Sequence, residues 1–357
     1  MNRKKILILS GGGLDRLAES FQLAFESLGH TAEIYFEDRN SASLNYFKFF
    51  SRTPFTHLCL KYWEKHKETN SRQYEEKIMA FRPDMIFMYN FNSISVRLFK
   101  KIRDIYKIPT AYMVFADPLV TDKLGSYFLT NLIYCSHLFF INPSAIPSLR
   151  LVSGASMHFL SLAGDPRFFK PLNLAKDIDI FMMGQFSSIS VATVTKAYIL
   201  DYLCASGFDV SAAGSGLNEL IERPEFPHLK KLAVIASAPL SAEEVNILYN
   251  RAKIVLAPEH PRDKDAPSPR AFEAALAGSF PLADYQRDAE ALFEGNLVTF
   301  RSVREMAKKV RYYLDHGEER ENNAKKLHEV TLWRHTYLER AKEVMNTVFP
   351  RERTPRI

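Results

Sequence analysis

Cysteine is nearly missing from this chain of 357 residues, which holds only Cys59, Cys135 and Cys204. They lie far apart and none pairs at C-x-x-C spacing. That excludes a disulfide scaffold and a thiolate zinc site, and a reducing compartment is the natural setting. Long apolar runs are missing too. No segment supplies the ~20 residues of a membrane-spanning helix. At the amino end only Ile6–Leu9 follows the basic residues, too short for a secretory leader and better suited to a first buried strand. The expected location is the cytoplasm, with peripheral contact to the inner face of a membrane left open. No repeat of solenoid period and no low-complexity tract occurs.

Enough material remains for ordinary globular cores. Hydrophobic residues make up 46% and charged residues 25%, and the length exceeds a single core, so two α/β domains are expected. Lys plus Arg number 47 against 41 Asp plus Glu, a formal charge of +6. This mild excess suits phosphate-bearing ligands or an anionic membrane surface without demanding nucleic acid.

Strand-like runs alternate with amphipathic stretches of helical length. Lys5–Leu9 runs into Ser10-Gly11-Gly12-Gly13, a helix follows over Asp15–Leu28, and Glu33–Glu37 completes a βαβ unit. Met85–Tyr89, Thr110–Phe115, Leu138–Ile141 and His158–Leu162 continue the series. Gly164-Asp165-Pro166 and Pro171 have linker composition. The pattern then restarts with Asp179–Met183, Phe208–Ala212, Leu232–Ala236, Lys253–Ala257, Phe280–Ala283 and Leu297–Phe300. Ser241 and Glu244 form a capping box ahead of a helix to Asn250. The reading is two doubly wound α/β domains, 1–170 and 171–335, and a C-terminal helix and tail, 336–357, free to pack back on the first domain. Ligands of such sheets bind at the carboxyl ends of the strands, and two such domains face each other across a cleft.

Chemistry concentrates in Lys253–Pro281. A strand ends at Pro258-Glu259-His260, and a loop rich in proline and charge carries Asp265. Ser268 and Pro269 then start a helix as N-cap and first helical residue. That helix bears Arg270, Phe272 and Glu273 and stops at Gly278. Free amides, a serine and an arginine at a helix start suit a diphosphate. The competing reading is an ordinary helix whose Arg270 and Glu273 are surface charges.

The spacing Asp265-x7-Glu273, followed by small residues, Gly278 and Pro281, resembles the E-x7-E signature of GT-B glycosyltransferases. Ser268-Pro269-Arg270, Phe272-Glu273-Ala274 and Ala277-Gly278, with His335-Thr336-Tyr337 and Arg340, are similar to CgeB-like proteins of that group. The resemblance is strong over Asp179–Arg340 and looser before it, through Ile108-Pro109-Thr110, Asp117-Pro118 and Asp165-Pro166. It implies a GT-B fold and transfer of a sugar from a nucleotide donor such as a UDP- or GDP-sugar. Glu273 would bind the ribose and Asp265 would lie near the transferred sugar. One departure stands out: the first acid is aspartate, not glutamate, one methylene shorter. The resemblance implies metal-independent chemistry and no organic cofactor, and no His, Asp and Glu cluster here has metal-ligand spacing.

Further candidates come from strand ends. Gly12 and Gly13 would allow close backbone approach of a ligand, or merely a tight turn; G-x-G-x-x-G is not matched. Gly184 and Gln185 end the first strand of the second domain, where amides could hold phosphates, and Gly214-Ser215-Gly216 ends the next. Asp117 is the candidate base taking the acceptor proton, and His260 could contact diphosphate or sugar. The acceptor is open among glycan, protein and small molecule. The alternative that the basic excess suggests is a nucleic acid, which is less favoured, or a lipid-linked polyanionic glycan. A basic, aromatic region, Tyr46–Lys107, reads either as an acceptor or membrane surface or as helices with inward aromatics and solvated lysines, and the second is favoured. A non-catalytic nucleotide-sugar binder is the alternative to an enzyme.

Overall fold

A computed structural model describes residues 2–11, 15–37, 56–89, 93–115, 131–187, 190–259, 265 and 267–350. The chain forms two compact units, Met1–Ser161 with Leu338–Ile357, and Leu162–Tyr337. Among the described residues no helix is long and apolar enough to cross a membrane.

The first unit holds β1 (Lys5–Ser10), β2 (Thr31–Phe36), β3 (Met85–Tyr89), β4 (Thr110–Val114), β5 (His137–Phe140) and β6 (Ser156–Phe159). They form one parallel sheet in the order β2-β1-β3-β4-β5-β6. Every residue of β3 and β4 is buried, as parallel strands covered on both faces require. Helix α1 (Asp15–Ser27) turns Leu17, Phe21 and Phe25 inward, and Phe21 meets Phe87 of β3 at 4.7 Å between ring centres. The long helix α2 (Thr56–Phe81) buries Trp63, His66, Asn70, Tyr74, Ile78 and Phe81 along one stripe. Its exposed side carries Lys61 and Lys65. Lys67 departs from the expected pattern of solvated lysines. It is buried, and an ion pair with Glu64 at 2.6 Å makes that burial tolerable.

The second unit holds β7 (Ile178–Met183), β8 (Val210–Ala213), β9 (Ala233–Ala236), β10 (Ala252–Leu256), β11 (Phe280–Asp284) and β12 (Val298–Phe300). This sheet is also parallel, in the order β12-β11-β10-β7-β8-β9. Because β7 pairs with both β8 and β10, the winding direction reverses between β7 and β10. That reversal opens a crevice at the carboxyl ends of the two strands. Helices α3 (Val191–Ala205) and α6 (Val303–Asp315) cover one face, packing Leu200 and Met306 with Met182 and Leu256. Helices α4 (Ala242–Arg251) and α5 (Pro269–Leu276) cover the other, packing Val245 and Ala274 with Phe181 and Val255. The capping box at Ser241 and Glu244 is formed in both directions.

Helix α5 is fixed at both ends. Ser268 is the N-cap and Pro269 the first helical residue. At the other end Gly278 has φ +72°. The Gly278 amide bonds the Ala275 carbonyl at 3.0 Å and the Ser279 amide bonds that of Ala274 at 2.9 Å, a Schellman closure. The Ser279 hydroxyl then donates to the Tyr249 carbonyl of α4.

Two loops interlock where β7 and β8 end. Gly214 has φ +134°, and a Cβ there would sit 1.6 Å from the Gly184 carbonyl oxygen. The obstacle is the Gly184 backbone, so no side chain can move aside. Gly214→Ala is expected to cost more than about 3 kcal/mol, the range of severe single substitutions. A melting curve close to wild type would contradict that.

Candidate functional site

The β7–β10 crevice is lined from three directions. From β7 come Gly184, Gln185 and Phe186. The Gly184 amide bonds the Ala213 carbonyl at 3.0 Å, and the Phe186 amide bonds that of Ser215 at 2.7 Å. These two amides therefore serve the interlocked loops, so the Gly184 amide is not the free donor that the sequence suggested. The Gln185 carbonyl instead receives Lys196 Nζ of α3 at 2.6 Å. Lys196 also lies over the Phe186 ring, 4.9 Å from its centre. Burial, and then the charge of Arg270, pull its ammonium down to about 8.

From β10 the chain passes to α5. Ser268 is buried, and its hydroxyl accepts from the Arg270 amide and from an Arg270 guanidinium nitrogen, each at 3.4 Å. Arg270 and Glu273 stand one turn apart on the side of α5 that is only half-buried, whereas Phe272, Ala274 and Ala275 face the core. Among the described residues neither Lys196 nor Arg270 has an ion-pair partner. Two cations face the start of a helix whose positive end adds to their field.

Glu273 is held from α4. The Tyr249 hydroxyl donates to Glu273 Oε2 at 3.2 Å. Tyr249 is fully buried, and burial, then the Glu273 charge, raise its hydroxyl well above the ordinary tyrosine value. The phenol therefore stays a donor and fixes the direction of the Glu273 carboxylate from α4. Asp265 is buried, not a solvated loop acid. The structure brings Ser268, Arg270, Glu273, Gly184 and Gln185 to one end of one sheet. Asp117, His260, Gly12 and Gly13 lie outside the described residues.

Sequence reasoning missed Lys196 and Tyr249. Lys196 lies twelve residues after Gly184, in a helix with no motif around it. Tyr249 looks like one more apolar residue of α4. Only the register of three separate segments brings them to Glu273 and Arg270. The residues His335-Thr336-Tyr337 prove to be architectural. The His335 ring packs at a tilt against Phe272 and Phe293, with ring centres at 5.6 and 5.1 Å. Its Nε2 lies 2.6 Å from the Leu292 carbonyl, and Thr336 pairs with Gly164 as an isolated parallel bridge.

Comparison with known proteins agrees with this arrangement. Residues 198–346 match the family described as Glycosyl transferase-like. No curated protein sequence matches the chain. Among solved structures, sucrose-phosphate synthase from Thermosynechococcus elongatus superposes with a TM-score of 0.68 at 12% identity, covering 97% of this chain and 98% of that one. A glycosyltransferase from Rickettsia africae gives 0.65 at 13% identity, over 99% and 100% of the two chains. The T4 phage BGT, solved with its UDP-glucose substrate, gives 0.57 at 12% identity over 97% and 99%. The chain has the GT-B fold, with two Rossmann-like domains, and the Glycosyl transferase-like match covers most of the second unit and runs on into the C-terminal helix.

Proposed function

We propose that this protein is a glycosyltransferase that moves a sugar from a nucleoside diphosphate donor, such as a UDP- or GDP-sugar, to an acceptor. The observation that supports it most is the meeting of Lys196, Arg270, the Ser268-capped helix start and Glu273 at the β7–β10 reversal. Glu273, held by Tyr249, would take the ribose hydroxyls. Lys196, Arg270 and the first amides of α5 would take the diphosphate and offset the charge that develops on the leaving nucleotide. Asp265 would face the transferred sugar, and Asp117 would take the acceptor proton. Gly12, Gly13 and His260 are proposed to approach the ligands from their loops. The match over residues 198–346 and the T4 enzyme's UDP-glucose complex favour a nucleotide sugar over other phosphate ligands. The CgeB-like resemblance, a cytoplasmic setting and independence from metal belong to the same proposal.

A thermal-shift panel of nucleoside diphosphates and nucleotide sugars tests it. A matching nucleotide at 100 times its Kd should stabilise the protein by about 2.7 kcal/mol. A melting temperature unmoved by every member would refute donor binding. Protection by a donor without hydrolysis or transfer would point to the non-catalytic binder.

A further inference from the structure

A second concavity lies on the opposite face of the same sheet. Its volume is about 520 Å³, within the roughly 300–1,000 Å³ of small-ligand sites. The carboxyl ends of β10, β11 and β12 form its floor, through Glu259, Asp284 and Phe300, and Tyr198 of α3 forms a wall. Tyr198 belongs to the face covered by α3 and α6, whereas Arg270 and Glu273 ride on α5 on the other face. The sites are neighbours that share α3: Lys196 reaches the β7–β10 crevice, and Tyr198, two residues on, lines the cavity.

The chemistry of the lining is specific. Asp284 Oδ1 accepts the Glu259 amide at 2.7 Å, and Oδ2 accepts from the Gln286 side chain at 3.0 Å. That carboxylate is fixed before any ligand arrives. Burial raises its carboxyl above the ordinary aspartate value. The Arg301 guanidinium lies flat on the Tyr285 ring, its carbon 3.4 Å from the ring centre. Stacking leaves the edge of the guanidinium, where its donors are, free to point along the wall. Tyr198 is 54% exposed although it is large and aromatic.

With the fixed Asp284 carboxylate beside the Arg301 guanidinium, the lining carries no excess positive charge to favour a phosphate. Two aromatic rings favour a flat apolar surface. Acceptors at Asp284, and donors at Arg301, favour a ring rich in hydroxyl groups. From this combination we infer that the cavity is a carbohydrate-binding site for neutral sugar rings, separate from the nucleotide-diphosphate site. The C–H face of a pyranose would lie on the exposed Tyr198 ring, and its hydroxyls would donate to Asp284. The inference concerns binding and holds whether or not the β7–β10 crevice takes a nucleotide sugar. If it does, the cavity is placed to hold part of a glycan acceptor.

The test is equilibrium titration of the full chain with maltose, cellobiose, lactose, chitobiose and mannobiose, with and without saturating UDP. At least one disaccharide should bind, and UDP should not displace it. Tyr198→Ala, at an exposed position that leaves folding intact, should weaken that binding on the order of fivefold, the scale of one lost aromatic contact. Asp284→Asn and Arg301→Ala should weaken it as well, while the affinity for UDP stays unchanged in all three variants. Failure of every disaccharide to bind would overturn the inference. So would displacement by UDP, or a Tyr198→Ala variant that binds as wild type. None of these results bears on the donor site, whose own test is the nucleotide-dependent thermal shift.

Discussion

Glu273→Ala is expected to weaken nucleotide-sugar affinity about 10- to 100-fold, with the fold intact. The estimate follows from the ~1.5–3 kcal/mol of hydrogen bonds that involve a charged partner. A carboxylate is the right group for this task, since it accepts two hydroxyls at once and has no donor of its own to misplace. The position supports this, because the side chain leaves the half-buried side of a helix whose other side is core. Tyr249→Phe is the informative companion. It keeps the buried ring and removes one hydrogen bond, about 1 kcal/mol or fivefold. The loss should fall on donor affinity, because only the orientation of Glu273 changes. Calorimetric titration with the best nucleotide from the thermal-shift panel reads both variants. Unchanged affinity in Glu273→Ala would remove this residue from the site.

The second large effect is a pH dependence with a definite sign. Lys196 is a base whose value is lowered to about 8, so it is mostly charged at neutral pH and loses its proton well before a solvated lysine does. An anionic ligand binds the charged form. Affinity for a nucleoside diphosphate should therefore fall as pH rises through 8, about tenfold between pH 7 and pH 9. Lys196→Arg should flatten that profile, since a guanidinium stays protonated throughout. Lys196→Ala should be weak at every pH and cut turnover by about 10²–10³, the usual effect of losing one preorganised charge donor. Stability without ligand runs the other way. A lowered value means that the folded state disfavours the charged amine. The stability difference between wild type and Lys196→Met should therefore shift in favour of wild type as pH rises from about 8 toward the unfolded value of 10.5. A flat affinity profile in wild type would separate Lys196 from the diphosphate.

Much of this architecture could be read from the sequence because it rests on local rules. Strands buried on both faces are continuous apolar runs, so β3 and β4 stand out in the sequence. Ser268-Pro269 and Ser241 through Glu244 announce their helices through capping chemistry alone. Strand edges were less legible. Expected at His158–Leu162, β6 spans Ser156–Phe159, because Leu160 and Leu162 stay buried after the ladder with β5 has ended. Hydrophobicity marks burial, and pairing stops where the neighbouring strand stops. The site divides the same way. Ser268, Arg270 and Glu273 lie within one turn and a cap, so a short window contains them. Lys196 and Tyr249 join them only through the strand order of the second sheet, which no window of sequence holds. The Gly184 amide expected to be free is engaged for a related reason. Its partner, the Ala213 carbonyl, sits on the next strand.

The division of the chain also sets an order of assembly during synthesis. The second unit is continuous, from Leu162 to Tyr337. The first is completed only by residues from Leu338 onward, where helix α7 (Tyr337–Val348) buries Ala341, Val344 and Met345. Arg340 of that helix is 3% exposed, and its guanidinium holds the Ser161 carbonyl at 2.9 Å and the Ser161 hydroxyl at 2.6 Å. A ribosome releasing this polypeptide therefore presents a whole second unit while the first still lacks its closing helix. The earlier segment has to wait, with its α7-binding surface uncovered, until that helix emerges.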